Sequence, residues 1–164
     1  KGDQRGDCSP LAYLLAEECI APRTTAVLAS TGRAGMEFLR EFKGAGGQIW
    51  SASDVTQAEP GEIERAAQKF AEVAGSLHVH FDVSAFRPSL HGMSERPAFG
   101  GLTLPDLQKT LGEIGRAPVS SLIVTGLNPT LSGLSVVKTG LRLTVTALLA
   151  YIYGRLGLEA ARRP

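Results

Sequence analysis

Three potential metal ligands alternate along one short apolar segment. His78, His80 and Asp82 occupy every second position between Leu77 and Phe86, the period of a β-strand, so all three side chains share one face. On that face, residues two apart are separated by roughly 6.6 Å and residues four apart by about 13 Å, whereas a metal–ligand bond measures about 2 Å. The three cannot converge on one ion. An adjacent pair would need further ligands from elsewhere, so we predict that the histidines are packed or hydrogen-bonded core residues.

This strand leads into a loop that is rich in proline and glycine. The alternation predicts a strand over residues 77–85, and Arg87-Pro88 breaks it. A strand that carries a carboxylate to its C-terminal end, followed by a long irregular loop, is where an open α/β sheet places a ligand or metal site. Residues 77–102 are therefore the candidate functional segment.

Helical and strand patterns alternate along the rest of the chain. Apolar periodicity, caps and glycine stops predict helices over residues 10–19, 36–43, 60–74, 104–114 and 135–156, and strands over 24–30, 48–51, 77–85 and 119–125. Thr103, with Asp106 three residues later, resembles a capping box. The alternation predicts an α/β fold: a mainly parallel sheet between helices, in three α-β-α layers, with residues 1–164 in a single domain.

Composition excludes several classes of function. Against 16 Asp and Glu there are 17 Lys and Arg, so no strong field attracts nucleic acid. The longest apolar run is about half the ~20 residues that span a bilayer, which predicts no membrane insertion. Cys8 and Cys19 lack the spacing of a zinc or redox motif and suit a reducing compartment. We expect a soluble intracellular protein of the cytoplasm or the mitochondrial matrix; because the chain starts at Lys1, a preceding segment could be missing.

The candidate segment resembles the second metal-binding signature of the ureohydrolases, the family of arginase, agmatinase and formimidoylglutamase. In that family a strand ending in S-F-D-V-D-x-x-D-P leads to a G-T-P-x-x-G-G-L loop. This chain keeps Phe81-Asp82-Val83, Pro88, Pro97 and Gly100-Gly101-Leu102. Residues 122–131 are similar to the family's D-I-M-E-V-N-P-x-L strand end. The resemblance implies an arginase-like fold of which residues 1–164 form the C-terminal half.

The resemblance also implies a site that has lost acidic residues. In the family, two manganese ions share a hydroxide that attacks a guanidino or formimino carbon. Asp82 stands as a relic ligand, the second metal-binding aspartate falls on Ser84, and the glutamate that helps bind guanidinium falls on Gly126. The aspartate before the proline falls on Arg87, and the loop's Gly-Thr on Glu95-Arg96. The family's N-terminal D-x-H-x-D has no equivalent here, so we expect no catalytic residue, no bound metal and no other cofactor.

Three functions compete on these observations. The first is a non-catalytic ureohydrolase homologue that serves as a structural or regulatory subunit of a homo-oligomer or larger assembly. The second is a manganese-dependent hydrolase of linear amidines or guanidines whose remaining ligands lie on an unseen N-terminal segment. The third is a protein that binds another small ligand in the emptied pocket. We predict a partner chain or second copy, with the apolar final helix as the contact.

Overall fold

The computed structural model describes residues 10–30, 36–86, 101–126 and 134–157. Within these ranges, helices and strands alternate along the chain. The helices are α1 (Pro10–Ala16), α2 (Met36–Gly44), α3 (Ala52–Gln57), α4 (Glu62–Ala74), α5 (Leu104–Arg116) and α6 (Leu134–Arg155). The strands are β1 (Thr25–Ser30), β2 (Gln48–Ser51), β3 (His78–Asp82) and β4 (Ser121–Thr125). No helix in these ranges is both long enough and apolar enough to cross a membrane.

The four strands form one parallel sheet in the order β2-β1-β3-β4. β3 and β4 are neighbours in full register, from His78 opposite Ser121 to Asp82 opposite Thr125. Because parallel strands end at the same edge of a sheet, this register brings the last residues of β3 and β4 side by side. The sheet therefore assembles the candidate site from two segments that lie 43 residues apart.

Apolar residues cover both faces of the sheet, as the α/β prediction requires. On one face, alternate strand residues such as Leu28, Val79 and Phe81 join a buried core with α4, α5 and part of α6. On the other face, Val27 packs with Leu11 of α1 and Phe42 of α2. The alternation of strand side chains explains why Val27 and Leu28 enter different clusters. The three-layer α-β-α prediction is confirmed.

Local signals explain several boundaries. The Thr103–Asp106 capping box is present: the Thr103 hydroxyl accepts from the Asp106 amide, and the Asp106 carboxylate accepts from the Thr103 amide. α3 was not predicted, although its six residues begin with the same device at Ser51 and Asp54. The first helix ends earlier than expected, at Ala16.

The strand predicted over residues 77–85 is shorter in the structure. β3 ends at Asp82, and Val83–Ala85 forms a 3-10 turn that the Phe86 amide closes on the Val83 carbonyl at 3.1 Å. Phe86 then pairs with Leu102, just after the described chain resumes at Gly101. The apolar residues of the turn are buried like strand residues, which explains why periodicity alone extended the strand.

Candidate functional site

A chain of three polar side chains joins the ends of β3 and β4. The Thr125 hydroxyl lies 3.1 Å from Asp82 Oδ2 and 2.8 Å from His80 Nε2. A carboxylate oxygen accepts and a hydroxyl has a single proton, so the Thr125 hydroxyl donates a hydrogen bond to Asp82 and accepts one from the Nε2–H of His80. This direction places a proton on Nε2 of His80, and in the neutral ring Nδ1 then carries none. Its Nδ1 is then an acceptor, and it is buried without a hydrogen-bond partner in the described residues.

The surroundings of His80 favour the same neutral form. The side chain is buried, and desolvation lowers its pKa, while the nearby Asp82 carboxylate acts in the opposite direction. His78 is not part of this chain of hydrogen bonds. Its Nδ1 is hydrogen-bonded to the Ser121 hydroxyl at 2.8 Å, at the opposite end of β3 and β4. The prediction that the histidines are packed or hydrogen-bonded core residues is confirmed for His80, which is buried; His78 is hydrogen-bonded but half-buried.

Gly126 lies directly against the Asp82 carboxylate. Its backbone has a φ of +82°, a left-handed conformation that glycine adopts easily and other residues rarely do. A Cβ atom built at this position would lie 2.5 Å from Asp82 Oδ1. A side chain at position 126 therefore requires the backbone or the Asp82 carboxylate to move. The position where the family's glutamate falls has, in this chain, a backbone that fits glycine.

The other predicted site positions are defined less fully. Ser84 lies within the 3-10 turn, between the buried residues Val83 and Ala85, and its side chain is outside the described part of the structure. Arg87 and Glu95-Arg96 also lie outside the described residues. The structure thus brings together Asp82 and Gly126 of the positions that the resemblance marked.

These donors do not fit a pair of manganese ions. In the described residues, no group of three or more His, Cys, Asp and Glu side chains is placed to hold a metal. At the shared end of β3 and β4 the described side chains are one carboxylate and one neutral hydroxyl, with a glycine beside them. Two close dications need several anionic oxygens to offset their repulsion. Among the described residues, this end of the sheet supplies one carboxylate, that of Asp82.

Thr125 was missed by sequence reasoning. Its role depends on the register between β3 and β4, which sets Asp82 opposite Thr125 and is not a local property of either strand. The available signal was positional: Thr125 is the last residue of the predicted strand 119–125, and Asp82 lies near the C-terminal end of the predicted strand 77–85. Pairing the ends of parallel strands would have placed Thr125 beside the carboxylate.

The protein is an α/β protein whose parallel sheet is covered on both faces and carries an aspartate at the end of an inner strand. The model of the Arginase family matches residues 1–150. The chain belongs to the arginase family. A comparison with curated protein sequences gives no match.

Solved structures of several family enzymes share this fold. Proclavaminate amidino hydrolase from Streptomyces clavuligerus superposes with a TM-score of 0.63 at 20% identity, over 89% of this chain and 47% of that one. Formimidoylglutamase from Bacillus subtilis gives 0.69 at 19% identity, with coverages of 91% and 47%. Trypanosoma cruzi formiminoglutamase, solved with Mn²⁺, gives 0.69 at 19% identity, with coverages of 96% and 52%. This chain spans about half the length of these three proteins.

Proposed function

We propose that this chain is a non-catalytic member of the arginase family that acts as a structural or regulatory subunit of an oligomer or larger assembly. The observation that carries the proposal is the contact between Gly126 and Asp82. The family's substrate-binding glutamate falls on a position whose backbone is left-handed and whose Cβ would lie 2.5 Å from the remaining carboxylate. Guanidinium recognition therefore has no acidic group at this position.

Metal assembly is weakened independently of substrate recognition. The second metal-binding aspartate falls on Ser84, whose hydroxyl is a poor manganese ligand while it keeps its proton. Asp82 keeps its carboxylate, but one oxygen accepts a hydrogen bond from Thr125. A metal-activated hydroxide is the nucleophile of this family's chemistry, so a chain that holds no metal lacks the reagent. Both defects favour a role that does not depend on turnover.

The sheet supports a role in an assembly. β4 is paired with β3 along one edge, and in the described part of the chain no strand pairs with its other edge. Four of its five side chains are half-buried, whereas the three central residues of β3 are fully buried. An apolar edge strand of this kind is a template for association. Further polypeptide, in this protein or in a partner, would cover the open edge of β4. The compartment we propose is the cytoplasm or the mitochondrial matrix.

The retained Asp82 favours one alternative, a manganese-dependent hydrolase of linear amidines or guanidines. Its carboxylate ends an inner strand of the sheet, where ligand sites form in α/β proteins. In this alternative the remaining ligands come from sequence outside the 164 residues. Manganese would then bind with acidic and imidazole ligands from both segments.

Metal analysis combined with turnover separates the two proposals. The purified protein is incubated with excess MnCl₂, desalted and analysed for bound metal, and product release is measured from arginine, agmatine and formiminoglutamate. We expect far less than one manganese per chain and no turnover. Ser84→Asp should remain inactive, because Gly126 is unchanged. About two manganese ions per chain together with turnover would overturn the non-catalytic proposal.

A further inference from the structure

The final helix, α6, is fixed in its rotation by close contact with α5. Thr144, Ala147 and Ala150 are buried on its inner face. A Cβ atom on Gly154 would collide with the carbonyl oxygen of Gly112, so the two backbones touch at this point. Because this contact and the buried residues set the inner face, the opposite face of α6 cannot turn into the core.

That opposite face carries a row of exposed aliphatic side chains. The row, here called the α6 seam, is Leu141 (46% exposed), Val145 (53%), Leu149 (41%), Ile152 (46%) and Leu156 (63%). The spacings between them are four, four, three and four residues. Leu156 follows the last residue of α6 and continues its final turn, because its backbone N–H donates a hydrogen bond to the Ile152 carbonyl at 3.0 Å. At 3.6 residues per turn the seam spans about 80° of the helix surface, and the exposed Tyr153 (38%) lies about 40° beyond Leu149 at its border.

The width of the seam indicates what it fits. Spacings of four, four, three and four residues average 3.75, which is close to the eleven-residue repeat of a right-handed helix pair, so the seam has the geometry of a helix–helix contact. A helix that lies in a membrane surface needs a broad apolar face opposite a strongly charged one, and the inner face of α6 is instead buried protein. The geometry favours another helix over a lipid surface.

Charge then separates the two kinds of helix that could dock. α6 contains Lys138, Arg142 and Arg155 and no acidic residue. Lys138 lies one turn before Leu141 on the seam itself, and all three basic residues are exposed. In either orientation, a second copy of α6 would place cations only against cations, which is unfavourable at the borders of a helix pair. An acidic helix removes this repulsion.

We propose that the α6 seam docks a helix of another protein, whose aliphatic seam is bordered by Asp or Glu. The inference rests on the proposed role as a subunit and gives that role a partner of defined chemistry. Binding buries the seam's aliphatic side chains and sets acidic groups against Lys138 and Arg142.

Designed peptides test the proposal on the purified protein. The probe is a fluorescent synthetic helix of about 28 residues, in which Leu and Ile repeat at the spacings of the seam and Glu occupies the borders and the position that faces Lys138. Like charges at the borders also keep the probe from pairing with itself. Two matched peptides carry Lys at the borders or Ser at the seam. Both seam orientations relative to the label are synthesised, and binding is followed by anisotropy.

The protein variants are matched as well. Val145→Glu places a charge in the middle of the seam, while Val73→Glu makes the same change on α4, where the side chain is 85% exposed and outside the seam. We expect saturable binding of the Glu-bordered peptide to the wild type and to Val73→Glu, and at least about tenfold weaker binding to Val145→Glu. The Lys-bordered peptide should bind at least about tenfold more weakly than the Glu-bordered one. Replacing both Lys138 and Arg142 by Glu should reverse that preference.

Other outcomes overturn the proposal. No saturable binding of any Glu-bordered peptide, or equal binding of the Glu- and Lys-bordered peptides, refutes it. Binding to phosphatidylcholine–phosphatidylserine vesicles that Val145→Glu abolishes would assign the seam to a membrane, and self-association that Val145→Glu abolishes would assign it to a second copy. Metal content and turnover are measured on the same preparation. Turnover with intact peptide binding would refute only the non-catalytic role, and loss of binding without turnover would refute only the seam.

Discussion

Replacing Gly126 by alanine tests the close approach on which the proposed loss of function rests. Two effects oppose the added methyl group. A φ of +82° costs an L-residue roughly 1–2 kcal/mol. The methyl carbon would also lie 2.5 Å from Asp82 Oδ1, so the carboxylate must turn away and lose its hydrogen bond from Thr125, which costs roughly 1.5–3 kcal/mol. We expect Gly126→Ala to lower the free energy of unfolding by roughly 2.5–5 kcal/mol.

Gly75 provides a matched control for the backbone part of this effect. It ends α4 with a φ of +76°, nearly the same as that of Gly126, and no atom lies within 4 Å of a Cβ built on it. Gly75→Ala therefore carries the conformational strain without the collision. We expect it to lower the free energy of unfolding by about 1–2 kcal/mol. The difference between the two variants isolates the contact with Asp82.

Urea denaturation of both variants, in the wild-type and Asp82→Ala backgrounds, measures these terms. Without the carboxylate the collision is absent, so the excess cost of Gly126→Ala over Gly75→Ala should disappear. The reasoning is refuted if the two glycine variants are equally destabilised in the wild-type background. It also fails if the excess persists after Asp82 has been removed.

Three further predictions concern other contacts. Gly154→Ala should lower the free energy of unfolding by about 1–3 kcal/mol in urea titrations, because the added methyl group collides with the α5 backbone. Gly112→Ala is the control and should be nearly neutral, because a Cβ built there lies 3.6 Å from its nearest neighbour. Because burial lowers the pKa of His80, the unfolded chain binds more protons below about pH 6.5, so stability should fall as pH drops below that value; His80→Gln should reduce this dependence and His78→Gln should retain it. Glu113 is buried, and its carboxylate accepts a hydrogen bond at 3.0 Å from the backbone N–H of Gly61, the residue before α4. Glu113→Ala should lower the free energy of unfolding by about 1–3 kcal/mol in thermal melting, and by more than Glu113→Gln, which keeps an acceptor.

The parts of the fold that were predictable from sequence are those with local causes. The period-two run placed β3, and the apolar stripe at residues 60–74 placed α4, because each pattern is the local period of its element. The predicted end of β3 was wrong, because the apolar pattern continues through the buried residues of the 3-10 turn that follows the strand. α3 was missed because a helix of six residues is too short to show a recognisable apolar period, although Ser51 and Asp54 form its capping box.

The candidate site was predictable as a place but not as an arrangement. Asp82 and Gly126 were marked by their likeness to family motifs, and both lie at the end of the sheet. The hydrogen-bond chain through Thr125 depends on the pairing of two strands, and the close approach of Gly126 depends on a backbone angle. Neither quantity is encoded in a spacing of residues along one segment.

Ser84 and Gly126 are two of the positions at which the family has an acidic residue and this chain does not, and they impose different physical demands. At Ser84, exchange for aspartate alters one side chain in a short turn. At Gly126, a glutamate would add backbone strain and bring a second carboxylate towards Asp82, and two close carboxylates repel unless a cation lies between them. Without a bound metal, glycine is therefore the residue that leaves the Asp82–Thr125–His80 chain undisturbed. Under the non-catalytic proposal, loss of the metal and loss of the glutamate favour each other, and for that reason an aspartate at position 84 alone is not expected to restore hydrolysis.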